Sequence, residues 1–199
     1  MEYKEQSFTI PDIEGISKKT IEEHLKLYAG YVKHTNLIQT KITEYSSDLD
    51  KNGYAINELR RRFSFEFNGM RNHEYYFEQL EGGPSMGNAE SALSKQMIKD
   101  FGSTEAWFEE FKNICLTRGI GWAILYYDKK ADKLINAWVD EQHLGQLNGL
   151  DFIYGVDMWE HSYYIDYIPA DKKKYVEAYL TATNQDVAEK RFQKAKGQN

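Results

Sequence analysis

The chain has 199 residues, of which 41% are hydrophobic, enough to bury a core for one domain or two small lobes. Its formal net charge is -6, which argues against sequence-independent nucleic-acid binding, and its single cysteine, Cys115, excludes an internal disulfide. No segment has membrane-spanning length, and the N-terminus lacks an apolar signal core. We therefore expect a cytoplasmic protein that binds neither nucleic acid nor membrane.

The first part of the chain is predicted to be helical. A long helix should follow Pro11, with Ser17 as its N-cap, in ISKKTIEEHLKLYAGYVKHTNLIQTKI. A second helix is predicted in RRRFSFEFNGMRNHEYYFEQL. The glycine-rich segment EGGPSMGN should be a loop, and it divides the chain into predicted units at residues 1–84 and 85–199.

The second part combines two element types. ESALSKQMIKDFG and STEAWFEEFKNICL are predicted helices, separated at Gly102 and Ser103. A β-hairpin is predicted where GWAILYYD and KLINAWVD flank the polar turn KKAD, and DFIYGV should be a third strand. The residues after Asp171 read as helical. The fold class predicted from these elements is α+β, with helices first and a mixed lobe with a small antiparallel sheet second.

Three of the five histidines lie on the inward side of a predicted element or beside an aspartate. His24 and His73 are on the apolar faces of the first two helices, and His161 comes four residues after Asp157, which ends the third strand. One such histidine is more often a core residue than a ligand, but a buried carboxylate needs a cationic partner. Imidazole and carboxylate together indicate iron, manganese or zinc.

Other chemistries have weaker support. The chain has no Walker-type loop, no GxGxxG, no GxSxG and no CxxC pair. A histidine–serine–acid triad stays open, although no serine has a recognisable nucleophile context. His34 should be a surface or second-layer residue, and His143 falls in a loop just after the hairpin.

The segment DMWEHSYY resembles the signature D-x-W-E-H-[AS]-[FY]-[FY] of the iron/manganese superoxide dismutases. TIEEHLKLYAGYV and FNGMRNHEYYF are similar to the two helices that carry the family's first ligands. KDFGSTEAWFEEF, RGIGWAIL and YVEAYL with DVAEKRF resemble its later blocks. The resemblance extends from about Phe8 to Phe192.

This resemblance implies an N-terminal helical hairpin and a C-terminal lobe with a three-stranded antiparallel sheet. It implies one iron or manganese ion per subunit, which converts superoxide to dioxygen and hydrogen peroxide. A water or hydroxide would complete the coordination. The ligands carried over by position are His24, His73, Asp157 and His161.

The resemblance also assigns residues around the metal. Trp122 and Trp159 match the aromatic walls of the family's site. Glu160 and Tyr164 match positions at its dimer interface, which implies a homodimer, with a tetramer as the larger alternative.

The first helix departs from the family pattern. The family has a histidine four residues after the first ligand and a tyrosine eight residues after it, where this chain has Tyr28 and Val32. Tyr31 is one residue early but lies on about the same side of the helix, so it could supply the gateway hydroxyl. Tyr28 could take over part of the missing histidine's role.

The amide that binds metal-bound solvent is a second open position. Gly69 stands where many iron enzymes have glutamine, as it does in manganese enzymes, which supply a glutamine from the loop after the second strand. In this chain His143 is the expected equivalent, and Gln142 and Gln146 are the alternatives.

Two other functions stay open. The altered first helix allows a dimeric metal-binding scaffold with little dismutase activity. A mononuclear iron oxygenase with two histidines and one carboxylate is the third reading, but His24 would occupy a position that such a site leaves open.

Overall fold

The computed structural model describes residues 2–197, and within them its architecture is α+β. Two long helices come first, and four shorter helices with a three-stranded antiparallel sheet follow. The elements are α1 (Lys18–Tyr45), α2 (Leu49–Glu78), α3 (Ala92–Phe101), α4 (Thr104–Cys115), β1 (Gly121–Asp128), β2 (Lys133–Asp140), β3 (Asp151–Asp157), α5 (Lys172–Ala182) and α6 (Gln185–Lys196), with 3₁₀ turns at Glu160–Ser162 and Pro169–Asp171. The predicted fold class is confirmed.

The N-terminal helices pack as an antiparallel pair. Helix α1 begins as predicted, because the Ser17 hydroxyl accepts a hydrogen bond from the Thr20 backbone N–H at 3.2 Å. From Ile21 onward its buried side chains recur every three or four residues, and with Thr20 they are Ile21, His24, Tyr28, Val32, Thr35 and Ile38. Helix α2 begins at Leu49, before the predicted segment. Its first turns are mostly exposed and carry no apolar stripe, so the hydrophobic pattern predicted a later start.

The sheet has the order β2-β1-β3, with β1 buried along nearly its whole length. The predicted hairpin strands have the observed bounds, Gly121–Asp128 and Lys133–Asp140. In the observed register Trp122 lies opposite Val139 of β2 and opposite Asp157 of β3. Strand pairing therefore places an aromatic side chain of β1 beside the carboxylate that ends β3.

A buried glutamine joins the helical pair to the sheet. Gln79, just after α2, donates its amide N–H to the Gly155 carbonyl at 2.8 Å and accepts the Gly155 N–H at 2.9 Å. Arg191 of α6 donates to the same amide oxygen at 2.9 Å. Because both polar groups of Gly155 are bound, the position of β3 is fixed relative to α2 two residues before Asp157.

The C-terminal segment is helical as predicted but is divided in two. Helix α5 ends at Ala182, and Asn184 starts α6 by accepting the Asp186 N–H at 3.1 Å. The Asn184 backbone N–H donates to the Gln79 carbonyl at 2.7 Å. Within residues 2–197, no helix combines the length and apolar composition that crossing a bilayer requires.

A Gly121→Ala substitution should destabilise the hairpin. A Cβ atom at Gly121 would lie 2.1 Å from the backbone oxygen of Val139, so β1 and β2 would have to separate. We expect the free energy of unfolding to fall by about 2–3 kcal/mol, which is roughly 4–12 °C in Tm for a chain of this size.

Gly53→Ala is the matched control, because a Cβ at Gly53 in α2 meets no atom within 4 Å. It should raise stability by about 0.5–1 kcal/mol through the lower helix propensity of glycine. Thermal unfolding followed by circular dichroism checks both variants, and a Gly121→Ala midpoint at or above that of the parent protein contradicts the packing argument.

Candidate metal centre

Four side chains from four parts of the fold meet at one point. His24 comes from α1, His73 from α2, Asp157 from the end of β3, and His161 from the 3₁₀ turn that follows. One ligand atom of each lies within 4.8 Å of those of the other three. The side chains of His24, His73 and Asp157 are fully buried, whereas that of His161 is 17% exposed.

The spacing of these atoms matches a site for a single ion. The Asp157 Oδ2 atom lies 3.1 Å from His24 Nε2, 3.1 Å from His161 Nε2 and 3.4 Å from His73 Nε2. Two ligand atoms that are each about 2.1 Å from an ion and about 90–120° apart are separated by about 3.0–3.6 Å. The distances from Asp157 Oδ2 to the three histidine nitrogens are therefore those expected between ligand atoms that share one ion.

Hydrogen bonds outside this cluster orient two of the ligands. His73 Nδ1 lies 2.6 Å from the Gly69 carbonyl oxygen, which can only accept, so Nδ1 carries the proton and Nε2 has a free lone pair. His73 Nε2 is buried without a hydrogen-bond partner within residues 2–197. Asp157 Oδ1 accepts the Trp159 N–H at 2.8 Å, which directs Oδ2 toward the histidines. Three imidazoles and one carboxylate fit iron or manganese.

The protonation states also suit metal binding. Burial lowers the pKa of His73 to about 3, and the neighbouring His24 adds to the effect. Burial lowers the pKa of His24, although its hydrogen bond to Asp157 acts in the opposite direction. Burial alone would raise the pKa of Asp157, but His161 and His24 outweigh it and lower that pKa. Near neutral pH the buried ligands therefore have the unprotonated forms that coordination needs.

Comparison with known proteins decides the family. The model of the C-terminal domain of iron/manganese superoxide dismutases matches residues 89–191. A superoxide dismutase [Fe] of Aquifex aeolicus (strain VF5) is 33% identical over 189 residues, covering 92% of this chain and 87% of the relative. The chain belongs to the iron/manganese superoxide dismutase family.

Other relatives in this family carry either metal in their names. A superoxide dismutase [Fe] of Cupriavidus metallidurans is 34% identical over 181 residues, which is 89% of each chain. A protein of Haloferax volcanii named superoxide dismutase [Mn] 2 is 33% identical over 170 residues, 84% of this chain and 82% of its own. The family resemblance seen in the motifs is thus confirmed, and the similarity fits iron and manganese equally.

The two tryptophans predicted to form the aromatic walls of the metal site lie next to its ligands. Trp122 is fully buried, and its ring centroid is 5.2 Å from that of His73. The Trp159 ring stacks on the His161 ring, with centroids 5.6 Å apart and an angle of 21° between the planes. Each ring covers one side of a ligand imidazole and reduces its contact with water.

Gln142, rather than His143, lies in the hydrogen-bond network beside the ligands. Its buried amide oxygen accepts the Trp122 Nε1–H at 2.8 Å, and its amide nitrogen donates to the Tyr31 hydroxyl at 3.0 Å. His143 instead contacts the Phe65 ring edge, and its Nδ1 is buried without a hydrogen-bond partner within residues 2–197. This network thus includes the alternative Gln142 and not His143, the residue placed first from the sequence.

Gln146, the other alternative, supports this network from behind. Its amide nitrogen is 3.3 Å from the Asn72 amide oxygen and 3.3 Å from the Gln142 carbonyl oxygen. Asn72 in turn donates to the same Gln142 carbonyl at 3.1 Å. Gln146 therefore holds the Gln142 backbone and not the ligands.

The two tyrosines of α1 have different surroundings. The Tyr31 ring centroid is 5.0 Å from that of His73, and it fits there because a Cβ at Gly69 would lie only 2.5 Å from its ring. The Tyr28 hydroxyl accepts the Gln6 N–H at 2.9 Å and donates to Glu74 at 3.2 Å. The hydroxyl group of Tyr28 is thus bound away from the ligand atoms.

The remaining predicted residues lie on the surface. Glu160 and Tyr164, predicted for a dimer interface, are exposed beside His161 in the single chain, and the Tyr164 side chain is 59% exposed. His34 is exposed on α1, as expected for a surface residue.

Stability of the metal-free protein should decrease with falling pH. His73 has a pKa of about 3 when folded and about 6.5 when unfolded, so below pH 6.5 the unfolded chain takes up protons that the folded chain does not. The stabilisation is complete above pH 6.5 and is lost progressively as the pH falls toward 3, and His24 acts in the same direction.

Denaturant unfolding of chelator-treated protein at pH 7.5, 6.0 and 5.0 measures this effect. The exposed His34 offers the control, because His34→Asn should keep the full pH dependence. His73→Gln should reduce it. A free energy of unfolding that stays constant from pH 7.5 to 5.0 would mean that the buried histidines are not held neutral.

Proposed function

We infer that this protein is a superoxide dismutase, an oxidoreductase that converts two superoxide anions and two protons into dioxygen and hydrogen peroxide. The observation that carries this conclusion is the convergence of three histidine Nε2 atoms on Asp157 Oδ2 in a member of the family. An iron or manganese ion bound here would supply one-electron redox chemistry for the two superoxide anions. His24, His73, Asp157 and His161 would hold it.

We propose that Tyr31 keeps a proton at the open side of the site. Burial raises the pKa of its hydroxyl, and the charges of Asp157 and Glu66 raise it further, so the phenol stays protonated at neutral pH. The Tyr31 oxygen accepts from Gln142, which leaves its own O–H free to donate toward substrate or metal-bound solvent. Tyr28 is assigned to holding the segment around Gln6 on α1, since its O–H already points at Glu74.

Gln142 is the proposed partner of metal-bound solvent. Its oxygen is bound by Trp122 and one amide N–H by Tyr31, and within residues 2–197 the amide nitrogen makes no other hydrogen bond. One N–H therefore remains to donate into the site. Because Trp122 fixes which end of the amide is oxygen, the donor is the end bonded to Tyr31, whose ring lies beside the ligand His73.

We also propose a two-fold dimer through the surface of Glu160 and Tyr164. The support is their exposure next to His161 in the single chain, where an isologous contact would bury both side chains. A tetramer of two such dimers is the larger alternative. Sedimentation of the metal-loaded protein measures its mass in solution. The mass of a single chain at all concentrations would contradict the proposed dimer.

A dimeric metal-binding scaffold with little dismutase activity remains a second candidate function because of Tyr28. A helix position that the family uses beside its site is occupied here by a side chain engaged with Gln6 and Glu74. Such a protein would bind metal and turn over superoxide slowly.

Reconstitution separates the two functions. The purified chain, loaded separately with iron and with manganese, should bind about one ion per chain and accelerate superoxide decay in stopped flow with at least one metal. His161→Ala should lose the metal, whereas His34→Ala, which changes an exposed histidine of α1, should retain it. Full metal content with superoxide decay at the background rate would favour the scaffold.

Substitution of Gln142 and of His143 tests the proposed solvent partner. Gln142→Ala removes the amide between Trp122 and Tyr31, and we expect activity per bound metal to fall roughly 10–100-fold. His143→Ala should leave it almost unchanged, because His143 has no bond in that network. Metal content and Tm are measured on both variants, and a larger activity loss in His143→Ala would reverse the assignment.

A further inference from the structure

The exposure of the ligands indicates where the metal site opens. Only the His161 side chain has contact with solvent, at 17% exposure, whereas the other three ligand side chains have none. His161 is covered by Trp159, and the Phe65 ring lies 6.3 Å from Trp159 and 6.1 Å from Tyr31. We call the surface formed by Tyr31, Phe65 and Trp159 the entrance.

An arginine lies flat on this entrance. The guanidinium carbon of Arg62 is 3.7 Å from the centre of the Phe65 ring, a close cation–π contact. Its Nε donates to Glu66 Oε1 at 2.8 Å, and its Nη2 lies 2.8 Å from the same oxygen. The Arg62 side chain is 55% exposed and that of Glu66 only 10%, so a fixed positive group faces solvent at the edge of the site.

The overall charge makes such a group significant. The chain has a formal net charge of -6, and superoxide is an anion, so the average field of the protein opposes its approach. Arg62 lies on the Phe65 ring, and that ring is 6.1 Å from the Tyr31 ring. Arg62 is therefore close enough to influence an anion that reaches Tyr31.

We propose that Arg62 is an anion-guiding residue, which attracts superoxide to the entrance and directs it past Phe65 and Tyr31 toward the metal. This inference rests on the proposed dismutase function for its substrate. Stacking on Phe65 and the bonds to Glu66 keep the guanidinium in place, so its attraction is exerted at the entrance and not over a wide volume. Arg62 takes no part in the electron or proton transfers.

The neighbouring Arg61 provides a matched control. It lies one residue earlier on α2, is 77% exposed, and pairs with Glu58 through its Nε at 3.0 Å. Arg61→Gln and Arg62→Gln remove the same charge from adjacent positions of one helix, but only Arg62 lies on the Phe65 ring. A difference between the two variants therefore reports the position of the charge and not the net charge.

The first measurement is kcat/KM for superoxide against ionic strength. One unit charge about 6 Å from the path of an anion changes its local concentration about threefold in a water-like dielectric. Arg62→Gln should thus lower kcat/KM about threefold at low salt, with the deficit disappearing at high salt, while kcat stays unchanged. Arg61→Gln should follow the parent protein. Equal curves for the two variants at every salt concentration overturn the proposal.

The reverse change gives the opposite sign. Glu66→Gln keeps the shape of a mostly buried side chain and removes the carboxylate that partly neutralises Arg62, so kcat/KM at low salt should rise. A decrease like that of Arg62→Gln would mean that the pair acts by holding α2 together, which overturns an electrostatic role.

Azide binding tests Arg62 without turnover. With metal-loaded protein, Arg62→Gln should lower the association rate of this small monoanion about threefold at low salt and leave its dissociation rate unchanged, and Arg61→Gln should change neither. A parent protein without dismutase activity would refute the proposed function, yet azide association would still decide whether Arg62 guides anions. Equal azide association rates for the two variants would overturn the anion-guiding role of Arg62.

Discussion

A fully buried carboxylate surrounded by three imidazoles is the constraint on which the rest of the structure depends. Asp157 has no solvent exposure, and removing its charge from water is unfavourable by several kcal/mol unless it has hydrogen-bonding partners that can also share a cation. Those partners come from α1, α2 and the turn after β3, so the site forms only when these elements dock. Gln79 fixes β3 through both polar groups of Gly155, and the Tyr175 hydroxyl donates to the Asp157 carbonyl at 2.9 Å.

The same docking sets the roles of the residues around the ligands. Tyr31, seven residues after His24, lies close to the same side of α1 and reaches the His73 ring because Gly69 has no side chain there. Tyr28, four residues after His24, also faces inward, but its hydroxyl is hydrogen-bonded to Gln6 and Glu74. Tyr31 and Gln142 are instead hydrogen-bonded to each other, with the Tyr31 ring beside His73.

The entrance of the site has a different electrostatic requirement from its interior. Inside, burial keeps histidines neutral and the carboxylate charged, which favours a cation. At the entrance an anion must be accepted by an acidic protein, and the Arg62 guanidinium on Phe65 offers a local positive charge. A cation-binding interior and an anion-attracting edge can coexist because the edge is exposed, and solvent screens one from the other.

The sequence by itself determined the bounds of the hairpin strands and the presence of the helices, through local periodicity and capping residues, but not the early start of α2 or the break between α5 and α6. The group of His24, His73, Asp157 and His161 followed from the family resemblance, whose most specific motif contains Asp157 and His161. Only the tertiary structure shows that Gln142 bonds Trp122 and Tyr31, because these two partners come from β1 and α1. It likewise separated Tyr28 from Tyr31 and placed Arg62 on the entrance. Each of those depends on partners from elsewhere in the fold or on a side-chain direction, and neither is encoded in the spacing of residues along one helix.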